Sequence, residues 1–194
     1  MLLIRRGGVT NLSKPFHRSF FNFPSSLLPT DKPQEYIVKK RLNFTPELLF
    51  DVVSDVSQYH EFVPFVEESF VSATDSHNLP AEAGLRVGWK QFDEKFTCKL
   101  TCEKNKSVKA ESLTVSLFES LNTQWKFREV KNPHIRTSSC EVELSLSYAF
   151  KNPVYNAVSS LFSEQVTQLM IKAFEQRARD EKLKMSIKDR PRLL

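Results

Sequence analysis

The feature that most restricts this chain lies in its last third. Val142, Leu144, Leu146, Tyr148 and Phe150 alternate with Glu141, Glu143, Ser145 and Ser147, and the segment that opens at Asn152-Pro153 runs on without a glycine or a further proline to Arg190. The alternation predicts an antiparallel strand with one apolar and one wet face. Asn152-Pro153 has the chemistry of an N-cap followed by a first helical position. Behind it Val158, Leu161, Phe162, Val166, Leu169, Met170, Ala173 and Phe174 recur at spacings of three and four. That spacing predicts one apolar stripe on a helix from Pro153 to near Met185, roughly 45 Å long.

The middle of the chain supplies what this helix must cover. Tyr36, Val38, Leu42 and Phe44 predict a first strand, and Thr45-Pro46 caps a short helix through Leu48, Leu49, Val52 and Val53. A second helical turn is expected from Asp55 to about Glu61, ended by Pro64, then a strand from Val66 to Ala73. Asp75 to Gly84 is expected to be a polar turn region. Strands then follow around Leu85, Val87 and Trp89, around Phe96 to Cys102, around Val108 to Ser112, and around Trp125 and Phe127. A long antiparallel sheet must bury its apolar face, and the C-terminal helix is the one element large enough. The expected architecture is therefore α+β: a curved antiparallel sheet of about six to seven strands gripping a long C-terminal helix, with room for an apolar cavity between them.

Charge divides the 194 residues into three parts. Residues 1–33 and 177–194 each carry a net charge of +4, which leaves −3 for the body between them. A nucleic-acid-binding domain would carry its positive charge on the folded face, so this distribution argues against nucleic acid as a partner. The first 33 residues lack acids until Asp31 and mix Arg, Ser, Asn and Phe, as a mitochondrial transit peptide does. The plainer reading of that composition is a basic tail with no address. The body is expected over 34–180, and 181–194 reads as a basic tail suited to an anionic membrane surface. Cys98, Cys102 and Cys140 form no C-x-x-C pair, and two residues four apart on a strand are too far apart to bridge, so all three read as buried thiols. No apolar run reaches the ~20 residues of a membrane span.

Chemistry is sparse. His17, His60, His77 and His134 have no metal-ligand spacing, and the body holds two glycines, Gly84 and Gly88, with no phosphate loop. Glu67-Glu68 and Asp93-Glu94 are neighbours whose side chains should point to opposite faces of a strand, so neither reads as an acid–base couple. No catalytic residue, metal or catalytic cofactor is expected. The surplus is apolar. Val115, Leu117, Phe118 and Leu121 are too irregular for a strand, and read either as a packed loop or short helix, or as a greasy mouth loop. Val63-Pro64-Phe65 and Trp89 carry the same two readings.

Four segments resemble one family. Ser54-Asp55-Val56-Ser57-Gln58-Tyr59-His60-Glu61-Phe62-Val63-Pro64-Phe65 is similar to the S-x-V-x-x-Y-x-x-F-x-P-F/W signature of the coenzyme Q-binding START-like proteins of mitochondria. Ala83 to Lys90, Leu117-Phe118-Glu119-Ser120-Leu121 with Trp125, and Ala173-Phe174-Glu175-Gln176-Arg177-Ala178 resemble its third-strand, L-F-x-x-L-x-x-x-W and A-F-x-x-R-A segments. The resemblance spans about residues 35–180. It implies a non-enzymatic protein that binds coenzyme Q (ubiquinone) in its cavity, as carrier or chaperone, and supports respiration and Q synthesis at the matrix side of the inner membrane. The implied partners are that membrane's lipid surface and Q-biosynthetic or respiratory complexes. The implied cavity residues are Phe62, Val63, Pro64, Phe65, Trp89, Leu117, Phe118, Leu121, Trp125, Phe162, Val166, Leu169, Met170 and Phe174. A polyketide-cyclase-like enzyme acting on a ring, or a ribosome or protein interaction module, are the other classes the wider relatives suggest. N-terminal sequencing of the mitochondrial form is expected to start between about residue 20 and Glu35; a form that still begins at Met1 counts against the address.

Overall fold

The computed structural model describes residues 33–89, 92–131 and 138–188, with side chains for all of these except 89, 92, 154 and 156–166. The expected leader, apart from its last residue, and His134 lie outside the described residues. The order is β1 (Gln34–Leu42), α1 (Pro46–Ser54), a 3-10 turn (Val56–Gln58), α2 (Tyr59–Phe62), β2 (Val66–Thr74), β3 (Pro80–Trp89), β4 (Phe92–Glu103), β5 (Ser107–Ser112), β6 (Phe118–Val130), β7 (Ser139–Phe150) and α3 (Pro153–Lys188). The seven strands form one antiparallel sheet in the order β1-β7-β6-β5-β4-β3-β2, so β1 and β2 are its edges. This is the expected helix-grip architecture, at the upper end of the expected strand count.

Local chemistry sets the boundaries. The Thr45 hydroxyl accepts the Leu48 N–H at 3.3 Å and Pro46 occupies the first turn, which starts α1 as its sequence predicts. The turn between β2 and β3 is shorter than expected. Asp75 Oδ1 accepts the N–H groups of His77 and Leu79 at 2.8 and 2.9 Å, Asn78 takes φ 59°, and the strand resumes at Pro80. One Asp and one left-handed Asn thus close a hairpin where a polar run had suggested ten residues of turn.

The concave face of the sheet is read off β7. Cys140, Val142 and Leu144 are buried there, opposite Trp125 and Phe127 of β6 and against Ile171, Phe174 and Ala178 of α3. The stretch read as too irregular for a strand is the start of β6. Phe118 pairs with Phe150 and Ser120 with Ala149, so one extra residue interrupts the register between them. That bulge shifts the alternation by one and lets Phe118 and Leu121, three apart, share the concave face. Leu117 precedes the strand and is buried at 7% exposure.

Two glycines let β2 side chains cross β3. A Cβ on Gly84 would lie 2.2 Å from the Phe70 ring, and one on Gly88 would lie 2.0 Å from Glu67 Oε1. A register shift between Val66 and Glu68 also takes the acidic pair out of alternation. Both carboxylates therefore reach Arg86, at 3.8 and 3.0 Å, contrary to the expectation of opposite faces. Asp93 and Glu94 do part as expected: Asp93 meets Arg86 at 2.6 Å, and Glu94 meets Tyr155.

The helix presents a different stripe from the predicted one. Thr167, Ile171, Phe174 and Ala178 are buried, whereas Leu169 is 45% exposed. At 3.6 residues per turn Leu169 lies roughly 160° from Ile171, on the outer face. Two polar-looking or small positions, Thr167 and Ala178, carry the burial that a hydrophobic count assigns to Leu169. The helix also runs past residue 180 to Lys188 without a break, close to the expected end near Met185.

Phe50 anchors the short helices. It is 1% exposed and stands edge-on to Phe127 at 6.4 Å. Phe50→Ala is expected to cost about 3–5 kcal/mol, read as a lowered urea midpoint with unchanged slope; a loss below about 1 kcal/mol would mean the site collapses around the gap.

Candidate functional site

The space between the concave sheet and α3 is tight at one end. Phe174 stands at the centre, with ring centroids of Tyr59, Phe62 and Trp125 at 5.1, 5.2 and 4.9 Å. Arg177 lies 5.4 Å above Phe62 and pairs with Glu61 at 2.9 Å. The Tyr59 hydroxyl is buried and donates to the Val53 carbonyl. Burial holds its pKa well above the usual phenol value, so it stays protonated. A cavity of about 20 Å³ remains beside this cluster, lined by Val38, Leu42, Leu49, Trp125, Leu144 and Ile171 among others. That is space for about one water. Lys40 of the edge strand closes it against Glu175 of α3 at 2.5 Å.

Towards the start of α3 the same concave face is looser. Leu85, Phe96, Leu121, Leu146 and Phe150 point inward yet are only partly buried. Phe118 stacks on Phe150 at 4.7 Å and meets Phe96 edge-on at 5.3 Å. Two polar groups stand at this end. Tyr155, in the first turn of α3, packs on Phe150 at 5.7 Å and donates to Glu94 Oε1 at 2.7 Å. The hydroxyls of Tyr36 and Tyr148 both donate to Gln34 Oε1, at 3.0 and 3.2 Å. The arrangement is an apolar wall with hydrogen-bonding groups at its end, the usual composition of a lipid or cofactor pocket. Among the described residues no three His, Cys, Asp or Glu side chains stand close enough to hold a metal ion.

The fourteen residues singled out by sequence divide between these regions. Phe62, Trp125 and Phe174 belong to the tight end, and the half-buried Met170 lies one turn of α3 nearer the looser end. Phe118 and Leu121 belong to the looser one, and Leu117 leads into it. Val63 is buried at 5% exposure beneath the short helices, Pro64 is half-buried, and Phe65 is 41% exposed. Phe65 takes φ 68° and its carbonyl accepts the Gly88 N–H at 2.9 Å, which ties the α2–β2 turn to β3. Leu169 is outside the grip. The side chains of Trp89, Phe162 and Val166 lie outside the described residues. Sequence reasoning missed Ile171, Tyr148, Tyr155 and Glu94. Glu94 had a signal: it sits two residues before Phe96, in phase with the apolar face of β4.

The polyketide cyclase/dehydrase and lipid transport family profile matches residues 42–175. The Coenzyme Q-binding protein COQ10, mitochondrial, of Eremothecium gossypii is 41% identical over 180 residues, covering 90% of this chain and 84% of the relative. Its Saccharomyces cerevisiae counterpart is 37% identical, covering 92% and 86%. The chain belongs to the coenzyme Q-binding protein family. A START superfamily protein from Mycobacterium smegmatis shares the fold, with a TM-score of 0.63, 16% identity and coverage of 75% of this chain and 97% of that one.

In this member of the coenzyme Q-binding family the signature segment from Ser54 to Phe65 is structural in a definite sense. Its Tyr59 and Phe62 hold Phe174, and its His60 ring meets Ser69 Oγ and the Ser57 carbonyl at 2.9 and 3.0 Å, fastening the short helices to β2. Exposed His60 is thus held and not free in solvent. Cys98, Cys102 and Cys140 are unpaired thiols on the concave side, and burial raises each to about 11 from 9.0. At pH 8 a shift of this size leaves on the order of a hundredth of the usual thiolate. Iodoacetamide is therefore expected to label the native protein at least tens of times more slowly than the urea-unfolded chain; native labelling at the free-cysteine rate would show that the sheet opens.

Proposed function

We propose that this protein binds coenzyme Q between the sheet and the first half of α3, and acts as a stoichiometric carrier or chaperone of the quinone without turning it over. The observation that carries the reading is the row of inward-facing, half-buried apolar side chains, Leu85, Phe96, Leu121, Leu146 and Phe150, opposite a filled and sealed end. An isoprenoid tail that covers such a wall gains roughly 25 cal/mol per Å² of apolar surface removed from water. The head group needs only one or two hydrogen-bonding partners, and Tyr155 with Glu94, or Tyr148 with Gln34, supply them. Of the residues marked by sequence, Phe118, Leu121 and Met170 are the ones we assign to ligand contact, with Leu117 and Phe65 at the rim.

Relatives named as mitochondrial and as Q-binding support a mitochondrial protein, and we place it at the matrix side of the inner membrane, in exchange with that membrane's lipid and with Q-biosynthetic or respiratory complexes. The family description also covers cyclases and dehydrases. A cyclase would consume a ring substrate with a positioned acid and base. The carrier reading expects none of that consumption.

Lipid extracted from purified protein should contain quinone, identified by mass spectrometry, and a fluorescence-quenching titration with a short-chain quinone should saturate near one per chain. Met170→Ala removes apolar contact on the inner side of α3 and should weaken binding severalfold, about 1 kcal/mol, with circular dichroism unchanged. Absence of quinone binding by the folded protein, or its catalytic conversion, overturns the proposal.

A further inference from the structure

The last described turns of α3 carry apolar surface that the fold does not use. Residues 182–188 read Lys-Leu-Lys-Met-Ser-Ile-Lys, with three lysines and no acid. All seven are exposed, and Leu183, Met185 and Ile187 are 61, 51 and 61% exposed. At 100° per residue Leu183 and Ile187 lie within roughly 40° of each other and about 140–180° from Ala178, so they face directly away from the sheet. Met185 points the other way and lines a groove of about 200 Å³ with Leu48, Val52 and Phe62. Lys182 reaches back to the Asn43 carbonyl at 3.2 Å and lies over Phe44 at 5.5 Å, which fixes the rotation of the helix end. The outward pair is therefore held outward, with Lys184 beside it and Arg179 and Asp180 one turn below, where Asp180 accepts a hydrogen bond from Gln176 at 2.9 Å.

A helix with aliphatic side chains on one face and lysines beside them lies in the interface of a bilayer: its apolar face enters the acyl boundary and its cations meet anionic head groups. We infer that Leu183 and Ile187 form an insertion face by which the end of α3 docks on an anionic lipid surface. The inference rests on the membrane exchange proposed above and adds to it a specific apolar contact, beyond attraction of a basic tail. Charge complementarity selects lipid over a second copy of the chain, whose body is acidic but whose matching face would bring lysines against lysines.

The test compares the full chain with its Leu183→Gln/Ile187→Gln variant on phosphatidylcholine vesicles with and without phosphatidylglycerol, by co-sedimentation at low and high salt. Both proteins keep the same basic leader, so the difference reports the helix face alone. The full chain should bind the anionic vesicles and retain part of that binding at high salt, and the variant should bind about tenfold more weakly. Equal binding of the two proteins overturns the inference. So does a variant that loses only a concentration-dependent dimer, seen in sedimentation velocity, while its vesicle binding stays intact. Quinone titration of the same pair should give equal affinities; failure of both to bind quinone would defeat the carrier reading and leave the vesicle result standing on its own.

Discussion

The spacing between helix and sheet is set by the contacts of one side chain. Phe174 touches the sheet through Trp125 of β6 and α2 through Tyr59 and Phe62, so two separate elements agree on where α3 stands. Aromatic rings are large and rigid, and edge-on packing fixes both distance and angle. With that distance fixed at one end, the curvature of the sheet decides the rest. The concave face bends away from a straight helix, and Leu146 and Phe150 on it are only half-buried where Leu144 is buried. The sealed end and the loose end are thus two consequences of one contact combined with one curvature.

The polar groups follow the same division. At the tight end a hydroxyl is spent internally, from Tyr59 to the Val53 carbonyl, and leaves nothing for a ligand to meet. At the loose end the hydroxyls sit near the start of α3, bonded to Glu94 and Gln34, in reach of a guest as well as of each other. A buried polar group without a partner costs more than a bonded one gains. An apolar cargo with a small polar head suits a pocket that keeps its few polar groups together at one end.

Much of this was legible in the sequence. The alternation on β7 and the capped, break-free helix behind it are strong local signals, and together they imply a sheet closed on a single helix. The register shift at Phe118 was not legible, because a bulge looks like noise in a period-two pattern until the partner strand is known. The helix face was misjudged for a different reason. Hydrophobicity ranks Leu169 above Thr167, but the sheet decides which face turns inward, and Thr167 and Ala178 are small enough to let α3 approach. Glu94 and Tyr155 lie 61 residues apart, and no local pattern predicts their meeting.

The sheet is open, and among the described residues β1 and β2 each pair with a single neighbouring strand, which leaves each an edge that another strand could meet. A protein built around an apolar interior can least afford such an edge, since sheet-to-sheet pairing between copies would nucleate aggregates. The two edges are defended differently. β1 carries the consecutive cations Lys39, Lys40 and Arg41, which repel a second copy of themselves. β2 instead breaks its own regularity, with register shifts at three places and a pair of acids beside the first. The register shift that turns Glu67 and Glu68 out of alternation is therefore one of those that keep this edge from extending the sheet into a neighbour.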